Sequence, residues 1–419
     1  MSAGRINTGP ARLSARAAVL AVWGPGLLVM LADADAGNVV TAAQSGAMWG
    51  YRLLPLLLLL IPALFMVQEL AVRLGLSTGL GFGALVRLRL GAGWAWVCGA
   101  VLAVAVLGSL VTEFTGIAGV GELYGVPRLI SLPLASLCLL GVVLSGTYRR
   151  VERVAVAIGL FELAFLFVAW RAHPSGTAML ADITDPKLAD TRFLFLAAAL
   201  IGATFNPWMI FYQQSAIAEK GLGPAHRPAH CTAARWDTAA GAILTQVVTA
   251  AVLVAAAATI GHRTPAAALD SIGHISAALT PFLGLQAGRA LFSAGVLGAS
   301  TVAAIVCSLA LAWGIGEVAG QSSTSGQAAS QRPGFRMVYA TGVVASALIT
   351  WQVDSLVWLN IAAQVANAVL LPVLVGTLIL LAAKSLPHAE RLRGWYLWLV
   401  TLSCAAIGAV GLAGAVGGL

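Results

Sequence analysis

The sequence predicts an all-α membrane protein of about eleven transmembrane helices, and three observations carry that expectation. Apolar residues make up 59% of the 419 residues and charged residues 10%, with a mean hydropathy of +0.91. A soluble domain carries roughly 45–50% and about 25% respectively. Eleven stretches are long enough for a bilayer core of about 30 Å, which needs about 20 apolar residues per helix. Two of them, the first and the sixth, are interrupted near their centres by polar residues and helix breakers.

Residues 1–19 read as a basic cytoplasmic arm bearing Arg5, Arg12 and Arg16. The arm leads into an apolar stretch interrupted by acids, which suits no signal-peptide core. A single transmembrane domain is expected over 20–416, with spans at about 20–49, 53–72, 94–122, 128–146, 151–170, 192–218, 238–260, 286–316, 335–351, 356–383 and 394–416. Several run long, which implies tilt or a break and not extra spans. They divide into a five-helix block (about 20–170), a second (about 192–383) and one extra helix (about 394–416).

The net charge of +8 is a topology signal. With the N-terminus inside, 17 of the 24 basic residues fall on the cytoplasmic side and 6 on the other, with Arg289 near the start of span eight. Cytoplasmic loops collect Lys and Arg. The expectation is therefore a multi-pass cell-membrane protein, N-terminus cytoplasmic and C-terminus extracellular, whose partner is the lipid bilayer and not nucleic acid. The five cysteines are scattered without a CxxC pair, and four lie in apolar segments, so they read as packing residues. Three longer loops are expected: an outer one at 171–191 with Asp182, Asp185 and Asp190, and inner ones at 219–237 and 320–334.

The first span reads GPGLLVMLADADAGNVVTAAQSGAMWG. A central Asp in a membrane helix costs about 2.5–3.5 kcal/mol, so Asp33 and Asp35 are expected to face a cavity or an ion. Gly37 and Asn38 tolerate non-helical backbone, which lets the helix unwind there. Only one of two acids two positions apart points easily at one ion, and Asp35 belongs to the Asp-Ala-Gly-Asn turn. Asp33 is left as either structural or vestibular. In the sixth span, FLFLAAALIGATFNPWMIFYQQSAIAEKG, Gly202 and Pro207 bracket Ala203 to Asn206. Pro207 removes a donor and frees the carbonyl of Ala203. A freed carbonyl at membrane depth needs a partner from protein, water or a cation. Breaks 171 positions apart, each opening a five-helix block, point to an inverted repeat with a mid-membrane site between them.

These residues resemble a known family. The first-helix stretch is similar to that of the Nramp divalent-metal transporters, whose hallmark is Asp-Pro-Gly-Asn, and GATFNPWMIFYQQS resembles their sixth-helix pattern GATVMPHNLYLHS. VTEFTGIAG, YRRVERV and LNIAAQVANAVLLP are weaker echoes in helices three, five and ten. The resemblance implies a LeuT-like fold: two inverted five-helix repeats plus one helix, helices one and six unwound at mid-membrane, and alternating access. It implies Asp35, Asn38 and the Ala203 carbonyl as metal ligands, with Asn206 at the family's methionine position. Gln364 matches a helix-ten glutamine, and Glu113, Thr204 and Gln213 are further candidates for the metal or its pathway. No resident cofactor is implied, the metal being the substrate, and a monomer is expected.

The departures have chemical direction. Asn206 replaces a thioether, Trp208 replaces a histidine, and the helix-three acid pair of the proton pathway reads Glu113 and Gly116. All six histidines fall in loops or at their edges. Sulfur favours transition metals, whereas carboxylate and amide oxygens favour Mg²⁺ and Mn²⁺. Mg²⁺ sheds water reluctantly and suits a roomier site with few carboxylates. Fewer titratable groups weaken proton coupling. The pattern resembles the Nramp-related magnesium transporters, which work without proton coupling; the alternative is a proton-coupled Mn²⁺/Fe²⁺ symporter. An enzyme is not expected, since HExxH and paired hydrolytic acids are lacking.

Other polar residues carry their own expectations. Met209 reads as packing. Glu113 reads equally as a vestibule acid or a paired one, and Gln213 and Gln214 as pathway or helix-to-helix bonds. Glu69 and Glu162 read as structural acids paired with arginines such as Arg73.

Overall fold

The computed structural model describes residues 25–145, 157–220, 227–261, 269–281, 283–321, 332–387, 391 and 394–418. The expected basic arm, the YRRVERV segment to Arg153, His226, His262, His388 and most of the 320–334 loop lie outside the described residues.

All regular structure among the described residues is helical. The elements are α1 (Pro25–Leu31), α2 (Ala36–Trp49), α3 (Leu54–Thr78), α4 (Phe82–Leu90), α5 (Ala92–Leu123), α6 (Arg128–Ser145), α7 (Ala164–Arg171), α8 (Gly176–Ile183), α9 (Thr191–Thr204), α10 (Pro207–Glu219), α11 (Arg227–Thr259), α12 (Ile272–Leu279), α13 (Leu285–Val318), α14 (Pro333–Gln352), α15 (Leu356–Ser385) and α16 (Gly394–Gly418). A 3₁₀ turn, Leu160–Leu163, leads into α7.

Among the described residues, seven helices are long and apolar enough to cross a membrane, with α9 and α10 counted as one. The other four expected spans are helical as well: α1 with α2, α6, the described part of the fifth, and α14. The first span is not one continuous helix, because its break splits it into 7 and 14 residues. Helices apolar all round either sit inside the bundle or face lipid. Leu59, Leu134, Leu137, Trp398 and Leu402 are exposed apolar residues of the second kind.

Two of the loops expected to be long hold helical structure. The 171–191 segment carries α8, bent 103° from the helix before it, and Ser175 caps it by accepting from Ala178 N. Its Asp182 is buried, accepting from Tyr51 N at 2.9 Å and from Arg52 Nη1 at 3.0 Å. The inner loop expected at 219–237 is largely the start of α11, and the connections after α3 and α11 carry the further short helices α4 and α12. Helices of 8 or 9 residues are too short to show a helical period.

Both breaks sit at the bundle centre. Apolar side chains of α1, α3, α5, α10, α13 and α15 form one core, containing Met30, Phe114, Trp208, Met209 and Phe211. Met209 packs there, as expected of a space-filling methionine. Residues of α2, α9, α11 and α12 build a second core around Val40, Leu200 and Val252.

Candidate metal-binding cradle

The first break spans Ala32 to Asp35. Backbone bonds wind down from Ala32 N→Leu28 O to Ala34 N→Met30 O at 3.3 Å, after which the chain turns extended. Asp35 (φ −76°, ψ 179°) caps α2, its Oδ1 accepting from Asn38 N at 2.7 Å. The expectation that Gly37 and Asn38 would unwind is corrected: both lie in the first turn of α2. Gly37 serves close approach, because a Cβ there would stand 1.7 Å from Gln364 Nε2.

The second break is Phe205 and Asn206, with Pro207 starting α10 where its missing N–H costs nothing. The freed Ala203 carbonyl does find partners, accepting from Asn38 Nδ2 at 3.0 Å and Asn206 Nδ2 at 2.8 Å. Asn206 Nδ2 also donates to Asp33 Oδ1 at 3.1 Å, and Asn38 Nδ2 to the Asp33 carbonyl. Asp33, Asn38, Ala203 and Asn206 thus converge on one spot, and Asp35 borders it through its cap on Asn38.

Beyond the residues read from sequence, Ser109 and Asn367 belong here. Asn206 Oδ1 accepts from Ser109 Oγ at 3.1 Å and Asn367 Nδ2 at 2.8 Å, while Asn367 also donates to Gln364 Oε1 at 3.1 Å. Asn367 lies one turn beyond Gln364 on α15, which is the only local hint in the sequence. Glu113 accepts from Ala36 N at 3.3 Å beside the Asp35 carboxyl, so it borders the cradle. Gly116 has no room for a second acid: a Cβ there would meet Ser300 Oγ at 2.5 Å and Ala36 Cβ at 2.6 Å.

Two candidates lie elsewhere. Thr204 Oγ1 accepts from Gln246 Nε2 at 3.0 Å, and Gln213 Nε2 donates to Thr238 Oγ1 at 2.9 Å. Both tie helices together, as does Gln214 through the Leu80 carbonyl at 3.0 Å. Glu69 pairs with Arg73 and Arg235, both at 2.7 Å. Glu162 does not follow it: its carboxylate is fully buried with neither oxygen hydrogen-bonded. Arg73 lies four residues from Glu69 on the same helix and is engaged there. His173 and His274 lie exposed, His274 within α12.

The cradle is buried, with Asp33, Asp35, Glu113 and Gln364 fully so. Asp33 Oδ2, Asp35 Oδ2, Asn38 Oδ1 and Gln364 Nε2 have no hydrogen-bond partner. Three oxygens without donors, buried together, form an environment that favours a cation. Among the described residues, no three His, Cys, Asp or Glu side chains group as a metal site. Carboxamide and backbone oxygens must therefore complete any ligand set, and Asn38 and Asn206 would turn their Oδ1 atoms inward to do so.

Two half-helix breaks meeting at a buried oxygen cradle define a helical membrane protein of the LeuT-like fold. The Nramp family profile (natural resistance-associated macrophage protein-like) matches residues 26–416, and the chain belongs to that family. It is 27% identical over 286 residues to the divalent metal cation transporter MntH of Brucella suis, covering 66% of this chain and 62% of that one. The match to MntH of Verminephrobacter eiseniae is 26% over 395 residues, covering 86% and 85%. The Eremococcus coleocola manganese transporter superposes with a TM-score of 0.76 at 19% identity, covering 95% of this chain and 86% of that one. MHP1, a nucleobase-cation-symport-1 family transporter, superposes at 0.56 with 16% identity, covering 94% and 90%.

Proposed function

We propose that this chain carries divalent metal ions, Mg²⁺ with Mn²⁺, across the cell membrane by alternating access and without proton coupling. The observation that supports it most is the cradle of Asp33, Asp35, Asn38, the Ala203 carbonyl and Asn206. All its donors are oxygens, and Asn206 stands where the family pattern has sulfur. Hard oxygen donors suit hard cations. Asp35, Asn38, Ala203 and Asn206 are the proposed ligands, with Asp33 added by its contact to Asn206. Gln364 and Asn367 position the Asn206 carboxamide.

In this reading the two repeats cover about 20–170 and 192–383, with helix 394–416 added, the N-terminus is cytoplasmic, the C-terminus extracellular, and the unit is a monomer. One observation favours the proton-coupled Mn²⁺ or Fe²⁺ symporter as a second reading. Glu113 sits beside Asp35, so a titratable pair survives the loss of an acid at Gly116.

Uptake of Mg²⁺ and of Mn²⁺ into proteoliposomes, with and without an imposed pH gradient, tests both. Mg²⁺ uptake without proton influx is expected. Proton influx accompanying the metal would transfer the chain to the second reading.

A further inference from the structure

Every charged side chain fully or nearly buried among the described residues is acidic: Asp33, Asp35, Glu69, Glu113, Glu162, Asp182 and Asp237. Glu69 and Asp182 are neutralised by arginines, and Asp237 Oδ2 accepts from Gly26 N at 2.8 Å. Asp33, Asp35 and Glu113 belong to the cradle. Glu162 is left, with both oxygens unbonded.

Its position ties it to the cradle. Glu162 lies in the 3₁₀ turn that leads into α7, and this turn packs against α13. The turn approaches the end of α1: a Cβ on Gly159 would stand 3.4 Å from Leu31 and 3.6 Å from Glu162 Oε1. Leu31 is the last residue of α1, directly before the unwound segment that holds Asp33 and Asp35.

A buried carboxylate with no donor and no basic partner among the described residues is unstable as an anion unless a cation visits it. The neutral-acid alternative gives the side chain a packing role only. That role gains nothing from burying an acid beside the helix end that leads to two others, since each further buried acid raises the cost of the rest.

We propose that Glu162 is a second carboxylate station for the transported divalent cation, on the Leu31 side of the cradle, which holds the ion as it passes to or from Asp33 and Asp35. The inference rests on the transport reading above. An ion moving between half-helices sheds ligands on one side before gaining them on the other. A further carboxylate on the path lowers that barrier, which is the role of an intramembrane acid in an ion pathway.

The test is Mn²⁺ uptake into proteoliposomes by the full chain and by Glu162→Gln, with the melting temperature of each in detergent. Glu162→Gln has the shape of the neutral acid, so a packing role survives it. The expected result is uptake reduced by at least about tenfold at saturating Mn²⁺ with an unchanged melting temperature. Uptake within about twofold of the parent chain overturns the proposal. If Glu162→Gln does not fold, Glu162→Asp and Glu162→Met decide: uptake kept by the first and lost by the second supports the station. Equal behaviour of those two, whether active or inactive, assigns Glu162 to packing and overturns it. A parent chain that moves neither Mn²⁺ nor Mg²⁺ instead defeats the transport reading, which separates the two failures.

Discussion

The buried acids of the cradle and those of the helix ends are the same residue types with opposite surroundings. Glu69 is held by Arg73 and Arg235, and Asp182 by Arg52 and the Tyr51 amide. Asp33 and Asp35 each keep an oxygen with no donor, and no arginine or lysine pairs with either among the described residues. Where an acid ties helices together, the chain supplies the counter-charge. Where the counter-charge is missing, the partner must come from outside the chain. Removal of an acid should therefore have opposite consequences in the two regions.

The largest effect is expected at Asp35. Asp35→Ala removes a proposed ligand and the cap of α2, and uptake should fall below detection, a loss of about a hundredfold or more. A cap is worth about 0.5–2 kcal/mol, which the removal of an unpaired buried charge offsets. The melting temperature should thus change little. A variant that transports normally would break the comparison. Next is Gly202→Ala, where a Cβ would stand 1.8 Å from the Gln364 carbonyl oxygen. Backbone cannot yield as a side chain does, so α9 and α15 must separate and Gln364 must shift. Overpacking of this kind costs about 1–3 kcal/mol. Uptake and melting temperature should fall together, whereas Asp35→Ala should lower uptake alone.

Asn206→Met sharpens the cradle side. It replaces an oxygen donor by sulfur and removes the hydrogen bonds to Asp33, Ala203, Ser109 and Asn367. Competition of Cd²⁺ against Mg²⁺ in the uptake assay should shift by about tenfold toward the softer ion. Unchanged selectivity would remove Asn206 from the ligand set.

How much of this was legible in the sequence follows from which signals are local. Pro207 and the acids of the first span break apolar runs, so both half-helix pairs are readable, and Asn38, Ala203 and Asn206, which the structure brings together, fall at those breaks. Ser109 and Asn367 were not, because they meet Asn206 across 97 and 161 residues of chain and leave no period to read. The contact of Asp33 with Asn206 is not readable, because two acids two positions apart diverge on an intact helix, and here the backbone between them is unwound. Glu162 was assigned an arginine that Glu69, four residues from it, already holds. A single sequence gives the offers of charge but not their competition.

On the helix-end side, Glu69→Gln leaves Arg73 and Arg235 facing a carboxamide. A buried pair broken on one side costs about 3–5 kcal/mol, reduced here because Arg235 is half exposed, so a loss of about 1–3 kcal/mol is expected. Uptake per folded molecule should remain.

The smallest effect lies on one arginine. Arg52 reaches Asp182 at 3.0 Å and Asp185 at 3.5 Å. Asp182 is buried and also accepts from the Tyr51 amide, whereas Asp185 is exposed and shared with Lys187 at 2.6 Å. Hydrogen bonding to Lys187 holds the Asp185 carboxyl below its ordinary range, yet water screens that pairing. Asp185→Asn should leave the melting temperature unchanged, while Asp182→Asn should lower stability by about 1–2 kcal/mol, because one buried acceptor site turns into a donor. Thermal melts of the two variants side by side isolate burial from charge, since the arginine and the substitution are the same. Equal shifts would mean that pairing alone sets the worth of these acids, and the division between cradle and helix ends would lose its physical basis.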